Sequence, residues 1–141
     1  MPTPTLILGI ESSCDETAAA LVDTRLHVHA SVISSQIELH RVTHGVVPEV
    51  AARAHTERIL PVIDECLRRA HATPRDIAAV AVTRGPGLIT ALMVGLETAK
   101  ALAVGWNVPP SASTTSRATF SRRCSRVPSS RSTKTVAVLL S

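Results

Sequence analysis

The hydrophobic and polar positions divide the chain into short runs of two different periods. Three strand-like runs at residues 5–11, 17–24 and 28–36 follow one another closely, which predicts an antiparallel meander joined by hairpins. From Val47 to Ala70, apolar residues instead recur every three or four positions, as on one face of a helix. Pro61 lies inside this stretch and predicts a break or a kink there.

The next apolar run, Ile77–Thr83, has no polar alternation, which is typical of a parallel strand buried on both faces. A turn at 84–87 follows, and an apolar stripe from Leu88 to Ala103 predicts a second helix. The order β-β-β-α-β-α predicts an α/β fold with a mixed sheet and helical crossovers. From Pro109 neither period continues until Thr135, so we expect residues 109–134 to form a disordered tail.

Composition narrows the class of protein. A chain of 141 residues with 45% hydrophobic residues is suited to one domain with an aliphatic core, not to disorder throughout. The most apolar stretch, 87–106, contains Glu97 and Lys100, so no membrane span is expected. Only 1% of the residues are aromatic, which disfavours RNA recognition by base stacking. Three cysteines without a C-x-x-C pair favour a reducing cytoplasm.

The net charge of +4 is unevenly distributed. Residues 1–108 carry nine Lys and Arg against all eleven acidic residues, whereas residues 109–141 carry six basic residues and no acid. The basic character therefore belongs to the tail alone. A disordered basic segment could hold a phosphate backbone by charge but offers little sequence specificity.

The segment Glu11-Ser-Ser-Cys-Asp-Glu-Thr17 places three carboxylates and three hydroxyls in a tight turn after a buried strand. The carboxyl end of a strand is a usual position for a ligand site in such sheets. Because carboxylates repel phosphate, this composition favours a nucleotide bridged by a hydrated divalent cation. The alternative is a solvated hairpin turn without a ligand.

The turn Gly85-Pro-Gly87 lies between a strand and a helix, where backbone N–H groups can bind an anion. A tight turn with no ligand explains it equally well.

Two histidine pairs have spacings that occur in metal sites. His40 and His44 are four residues apart, as on one helix face, and His27 and His29 alternate along a strand. Val42, Thr43 and Gly45 disfavour a helix around the first pair, and no third ligand lies nearby in the sequence. We interpret all four as solvent-facing histidines.

Five segments, in order, carry a resemblance to a known family. They are Leu8-Gly-Ile-Glu-Ser-Ser-Cys-Asp-Glu-Thr17, Ser34-Ser-Gln-Ile37, Gly45-Val-Val-Pro-Glu49, Ala52-Arg-Ala-His55 and Thr83-Arg-Gly-Pro-Gly-Leu88. Together they closely resemble the glycoprotease-like family of tRNA threonylcarbamoyladenosine transferases over about residues 5–108. The resemblance implies a ribonuclease H-like half of the sugar kinase/actin-like ATPase fold. It also implies transfer of threonylcarbamoyl from its adenylate to the adenosine beside the tRNA anticodon.

The resemblance also implies roles for individual residues. Glu11 and Asp15 are expected to be catalytic, chiefly by positioning the ligand. The residues expected to bind nucleotide or substrate are Ser12, Ser13, Cys14, Glu16, Gly85, Pro86 and Gly87. The family binds an adenine nucleotide and one divalent metal, iron or zinc. Expected partners are tRNA and the proteins of the same pathway, including a paralogous actin-like subunit.

The chain departs from the family at two places. His44 stands where the family usually has glycine, which leaves the local loop conformation open. After Pro109 the family has His-Leu-Glu-Gly-His, whose two histidines bind the metal, but here the segment is Ser111-Ala-Ser-Thr-Thr-Ser-Arg-Ala-Thr119, without a histidine. Read one base early with GC-rich codons, this segment becomes Gly-Val-His-His-Leu-Glu-Gly-His. We therefore hypothesise a one-base deletion near Val108, with the frame restored before Val136.

Three interpretations of the whole chain follow. The first is an amino-terminal subdomain at 1–108, an out-of-frame segment at 109–134 and the start of the family's second half at 135–141, inactive by itself. The second is a non-catalytic actin-like module that pairs with an intact transferase, although the shorter paralogue lacks the acidic Glu11–Glu16 loop. The third is a product that barely folds, because losing the strand after the second helix exposes a sheet edge.

Overall fold

The computed structural model describes residues 5–108, 110–111 and 135–139. Its regular elements are strands β1 (Leu6–Glu11), β2 (Glu16–Asp23) and β3 (Val28–Ser35), helices α1 (Ile37–Arg41) and α2 (Pro48–Arg69), strand β4 (Ile77–Thr83), helix α3 (Ile89–Gly105), and strands β5 (Pro110–Ser111) and β6 (Thr135–Leu139). A short 3-10 turn, Pro74–Asp76, precedes β4. The prediction of a mixed α/β sheet with the order β-β-β-α-β-α is confirmed.

The six strands form one sheet in the order β3-β2-β1-β4-β6-β5. β2 runs antiparallel to both β1 and β3, while β4 is parallel to β1. The carboxyl ends of β1 and β4 therefore lie at the same edge of the sheet. β6 pairs in parallel with β4, so the strand edge that was expected to be exposed beside β4 is covered by Thr135–Leu139.

Side chains alternate between the two faces of the sheet, as the strand period requires. Leu6, Leu8 and Ile10 pack with α2 and α3 residues in the main core, which also contains Val80 and Val82 from β4. The intervening residues face the other way and form a smaller cluster, Ile7, Ala79 and Ala81 with Val22. The main core is aliphatic, as the composition predicted.

Helix α2 continues through Pro61, so the predicted break is wrong. Pro61 and Glu57, whose carbonyl loses its helical donor, both lie on the exposed face. Water can satisfy that carbonyl, and the apolar face on the opposite side keeps its contacts with the sheet.

The segment after β3 contains a short helix, α1, although the sequence around His40 and His44 disfavoured a helix. α1 spans only Ile37–Arg41, and it ends before Val42, Thr43 and Gly45. His40 is buried, with Nε2 3.1 Å from Gln36 Oε1, so its assignment to the surface is wrong. His44 is exposed and has a φ of +52°, in the left-handed region that glycine adopts most easily, which accounts for the family's glycine at this position.

The described residues contain no helix that is long and apolar enough to cross a bilayer. The predicted disordered tail at 109–134 lies outside the described residues, apart from Pro110 and Ser111, which form β5 and correct the prediction at those two positions.

Candidate nucleotide site at the carboxyl ends of β1 and β4

The acidic loop, residues 11–17, connects β1 to β2 and lies against the turn between β4 and α3. The backbone N–H of Leu88 donates to the Ser13 carbonyl over 2.8 Å. A Cβ added at Gly87 would lie 2.5 Å from that carbonyl oxygen and 2.8 Å from Ser13 Cβ. Gly87 is therefore required by the close approach of the two backbones, and the acidic loop and the Gly85–Gly87 turn form one continuous surface.

Glu11 is held at the centre of this surface by two donors. Its Oε1 accepts a 2.5 Å hydrogen bond from the Ser13 N–H, and its Oε2 accepts one from the hydroxyl of Thr83 at the end of β4. Each carboxylate oxygen retains further lone pairs for a cation. The arrangement fixes the carboxylate at the shared carboxyl edge of the two parallel strands.

Ser12 faces away from this surface. Its side chain is fully buried, and Oγ donates a 2.9 Å hydrogen bond to the Ala91 carbonyl in the first turns of α3. A Cβ added at Gly95 would lie 3.4 Å from Val82 Cγ2 and closer still to Ser12 Oγ, so the absence of a side chain at Gly95 leaves space for the serine. The Ser12 side chain joins the loop to α3 and is shielded from solvent. The expected role of Ser12 in binding stays a prediction, which only its backbone could fulfil in this conformation.

The other loop residues are more accessible. Cys14 and Glu16 are exposed, and Ser13 and Asp15 are half-buried. Desolvation, together with the neighbouring carboxylates of Asp15 and Glu11, raises the pKa of the Cys14 thiol. This thiol is therefore protonated near neutral pH and is a poor nucleophile.

His55 of α2 contacts the acidic loop and holds it in place. It was not identified as a site residue from the sequence. It is fully buried, with Nδ1 2.7 Å from Thr17 Oγ1 and Nε2 2.9 Å from the Cys14 carbonyl oxygen. A carbonyl only accepts, so Nε2 carries the proton and Nδ1 accepts from the Thr17 hydroxyl. Burial lowers the pKa of His55, which keeps the imidazole in this neutral form.

A groove of about 270 Å³ begins at Glu11 and Thr83 and crosses the sheet face opposite α2 and α3. Its floor consists of small side chains from adjacent strands, among them Gly9, Ala20 and Ala81. The acidic loop thus borders an open apolar surface.

A family model described as tRNA N6-adenosine threonylcarbamoyltransferase (TsaD) matches residues 27–121. The chain belongs to this family. The match extends beyond residue 108, where the resemblance was expected to stop. It begins at His27, after the acidic loop.

Curated members of the tRNA N6-adenosine threonylcarbamoyltransferase family are similar over most of the chain. The proteins from Anaeromyxobacter sp. and Bacillus subtilis are 54% and 52% identical over 103 residues each, which is 73% of this chain but 31% and 30% of theirs. The protein from Listeria innocua is 53% identical over 109 residues, or 77% of this chain and 32% of its own. The chain thus spans about a third of the length of these relatives.

Solved structures share the fold at lower sequence identity. YeaZ from Pseudomonas aeruginosa has a TM-score of 0.56 and 22% identity over 73% of this chain and 40% of its own. A second structure from the same organism, described as similar to peptidase YeaZ, has a TM-score of 0.57 and 19% identity over 80% of this chain and 55% of its own. The expected actin-like, ribonuclease H-like fold class is confirmed.

Proposed function

We propose that the acidic loop and the Gly85–Gly87 turn form one side of the adenylate site of a tRNA N6-adenosine threonylcarbamoyltransferase. In its full length this enzyme would transfer threonylcarbamoyl from threonylcarbamoyl-adenylate to the adenosine beside the tRNA anticodon. The observation that carries the proposal is the contact of Ser13 with Leu88 and Gly87, which joins two separate polar segments into one surface.

The geometry supports a binding role for Glu11 and Asp15 better than proton transfer. Glu11 already accepts hydrogen bonds on both carboxylate oxygens, so its position is fixed before a ligand arrives. A carboxylate held near phosphate needs a hydrated divalent cation between the two. Backbone N–H groups at the start of α3 would then contact the phosphate oxygens directly. Ser13, Glu16 and the turn residues would line the rest of this side of the cleft.

The family's own metal needs ligands that this sequence does not supply. The six histidines of the chain all lie at or before His71, so no His-Leu-Glu-Gly-His pair follows Pro109. The residues present therefore do not fit the iron or zinc that the resemblance implies. We propose that transfer requires the histidine pair in the restored frame.

The partners in this proposal are tRNA and the proteins of the threonylcarbamoyladenosine pathway in the cytoplasm, including a paralogous actin-like subunit. The part of the chain up to residue 108 has more acidic than basic residues, so we do not assign the tRNA contact to it. The basic tail would be a product of the wrong frame and would carry no binding function.

Two experiments test the proposal. Sequencing the coding DNA from the codon of Trp106 onward would support it by revealing one missing base and a frame that restores His-Leu-Glu-Gly-His. Codons that cannot give this motif in any frame would refute the frameshift. The second experiment measures threonylcarbamoyladenosine formed on tRNA with purified partner proteins, comparing this chain with the frame-restored protein. We expect product only from the latter, and robust turnover by the 141 residues alone would contradict the proposal.

The role of the acidic loop is tested in the frame-restored protein. Glu11→Gln removes the charge that would hold the cation but keeps the shape of the side chain, so we expect a loss of about 100-fold or more in turnover. Glu97→Gln is the matched control, because Glu97 is exposed on α3 and pairs only with Lys100 over 2.6 Å. Equal activity of the two variants would remove Glu11 from the site. Stable capture of an intact transferase by the unmodified 141-residue chain in a pull-down would instead support the non-catalytic module.

A further inference from the structure

A cluster of metal-ligating side chains lies at the far end of the sheet from the acidic loop. Asp23 ends β2, His27 lies in the turn that follows, and His29 is the second residue of β3. One ligand atom from each lies within 4.8 Å of the others. In the β1–β2 pairing Asp23 is opposite Leu6 while Glu11 is opposite Ala18, so the two sites occupy opposite ends of the same strands.

The hairpin holds the Asp23 carboxylate in place. Its Oδ1 accepts hydrogen bonds from the backbone N–H groups of Arg25 at 2.9 Å and His27 at 3.0 Å. Its Oδ2 lies 3.1 Å from Nε2 of His29. The His27 N–H contributes most to lowering the pKa of Asp23, and the carboxylate is ionised at neutral pH. An anionic oxygen ligand is therefore already oriented toward the two imidazoles.

The two histidines are close neighbours as well. Their ring centroids are 5.0 Å apart and their planes are nearly perpendicular. This corrects the sequence interpretation, because His29 is half-buried and bonded to Asp23, and only His27 is exposed. In tetrahedral zinc sites with bonds of about 2.0–2.1 Å, ligand atoms lie roughly 3.3 Å apart. The required approach is at most about 1.5 Å and falls within the rotamer freedom of the exposed His27 side chain.

We propose that Asp23, His27 and His29 form a binding site for one Zn²⁺ ion. Two imidazoles and a carboxylate are a donor set that zinc takes in proteins, with water in the fourth position. The exposure of His27 leaves an entry path for the ion. The site uses none of the residues assigned to the adenylate surface and is independent of the proposed transferase function.

The competing explanation is that Asp23 only closes the hairpin. In that case Asp23 and His29 act as a structural pair, and His27 contributes no more than its backbone N–H. The two explanations differ at the His27 side chain: it is a ligand in the first and dispensable in the second. His27→Gln keeps the backbone donor to Asp23, so this variant is expected to fold.

The test is isothermal titration calorimetry of the full chain with ZnCl₂, with imidazole NMR signals recorded in parallel. We expect one ion per chain and shifts confined to His27 and His29. His27→Gln and His29→Gln should each weaken zinc binding by more than about tenfold. Removing a residue that only supports a metal ligand already weakens binding by at least that factor. Circular dichroism checks that both variants fold.

Two variants serve as controls, because other donors on the surface could bind zinc. Cys14→Ser removes the exposed thiol, and His44→Gly removes an exposed imidazole outside the cluster. Both should retain the affinity of the unmodified chain. The proposal is overturned if zinc does not bind, if Cys14→Ser abolishes binding, or if folded His27→Gln binds as tightly as the unmodified chain.

Discussion

Replacing His55 by leucine removes the link between α2 and the acidic loop while keeping a side chain of similar size in the core. His55 is fully buried and contacts two groups of the loop, the Thr17 hydroxyl at 2.7 Å and the Cys14 carbonyl at 2.9 Å. In the leucine variant both groups lose their partner inside the protein. Thr17 is itself fully buried, so water does not replace the imidazole there.

The magnitude follows from these two bonds. A buried polar group left without a partner costs about 1–3 kcal/mol. Thr17 is fully buried but the bond to the Cys14 carbonyl is only partly buried, so His55→Leu should lower the free energy of unfolding by roughly 1–4 kcal/mol. Thr17→Val leaves Nδ1 of His55 unpaired and should cost about 1–3 kcal/mol. Because the double variant leaves neither partner of the Thr17–His55 bond unpaired, it should cost less than the sum of the two single variants, by at least about 2 kcal/mol.

Urea denaturation followed by circular dichroism measures all three variants. Thr56→Val is the matched control, since Thr56 is next to His55 on α2 but is exposed and bonded only to the Ala52 carbonyl. It should change the free energy of unfolding by less than about 0.5 kcal/mol. If His55→Leu is no more destabilising than Thr56→Val, or if the effects of Thr17→Val and His55→Leu are additive, then His55 does not hold the loop.

Three further predictions concern stability. Burial lowers the pKa of His55, so the folded state resists a protonation that the unfolded chain accepts. The free energy of unfolding should therefore decline as pH falls below about 6.5. This decline should be smaller in folded His55→Gln. Gly95→Ala should lower the free energy of unfolding in urea by about 1–3 kcal/mol, because the added Cβ would meet Ser12 and Val82. Gly105→Ala is the control and should be neutral or stabilising, because a Cβ added there has no atom within 4 Å. His44→Gly relieves a φ of +52° and should raise the free energy of unfolding by up to about 1 kcal/mol; an unchanged or lower value would contradict that reasoning.

The sequence was sufficient to predict strands β1 to β4 because their signal is local. The uninterrupted apolar run at Ile77–Thr83 has the same bounds in the structure. The three meander strands lie within one residue of prediction at each end. Uniform burial explains the first result, and the short polar turns between apolar runs explain the others.

The supports of the acidic loop could not be predicted in the same way. His55 and Thr17 are 38 residues apart in sequence, Thr83 and Glu11 are 72 apart, and Ser12 bonds to a carbonyl 79 residues away. No local period or spacing encodes such contacts, which exist only after the sheet and helices have packed. His55 lies four residues from both Ala51 and Ile59, so the helical period places it on the apolar face of α2, but the period does not indicate its partners in the loop.

Because of these long-range contacts, the structure of the acidic loop and the transfer activity of the chain can be considered separately. The acidic loop is anchored by residues from α2, from the end of β4 and from the first half of α3, all of which precede residue 96. The segment proposed to be out of frame begins after them. Restoring the frame should therefore add the metal-binding histidines and the rest of the cleft while leaving the loop's hydrogen bonds intact. Failure of the 141-residue chain to transfer threonylcarbamoyl would then reflect missing groups elsewhere, and the adenylate surface can be tested by Glu11→Gln in the frame-restored protein.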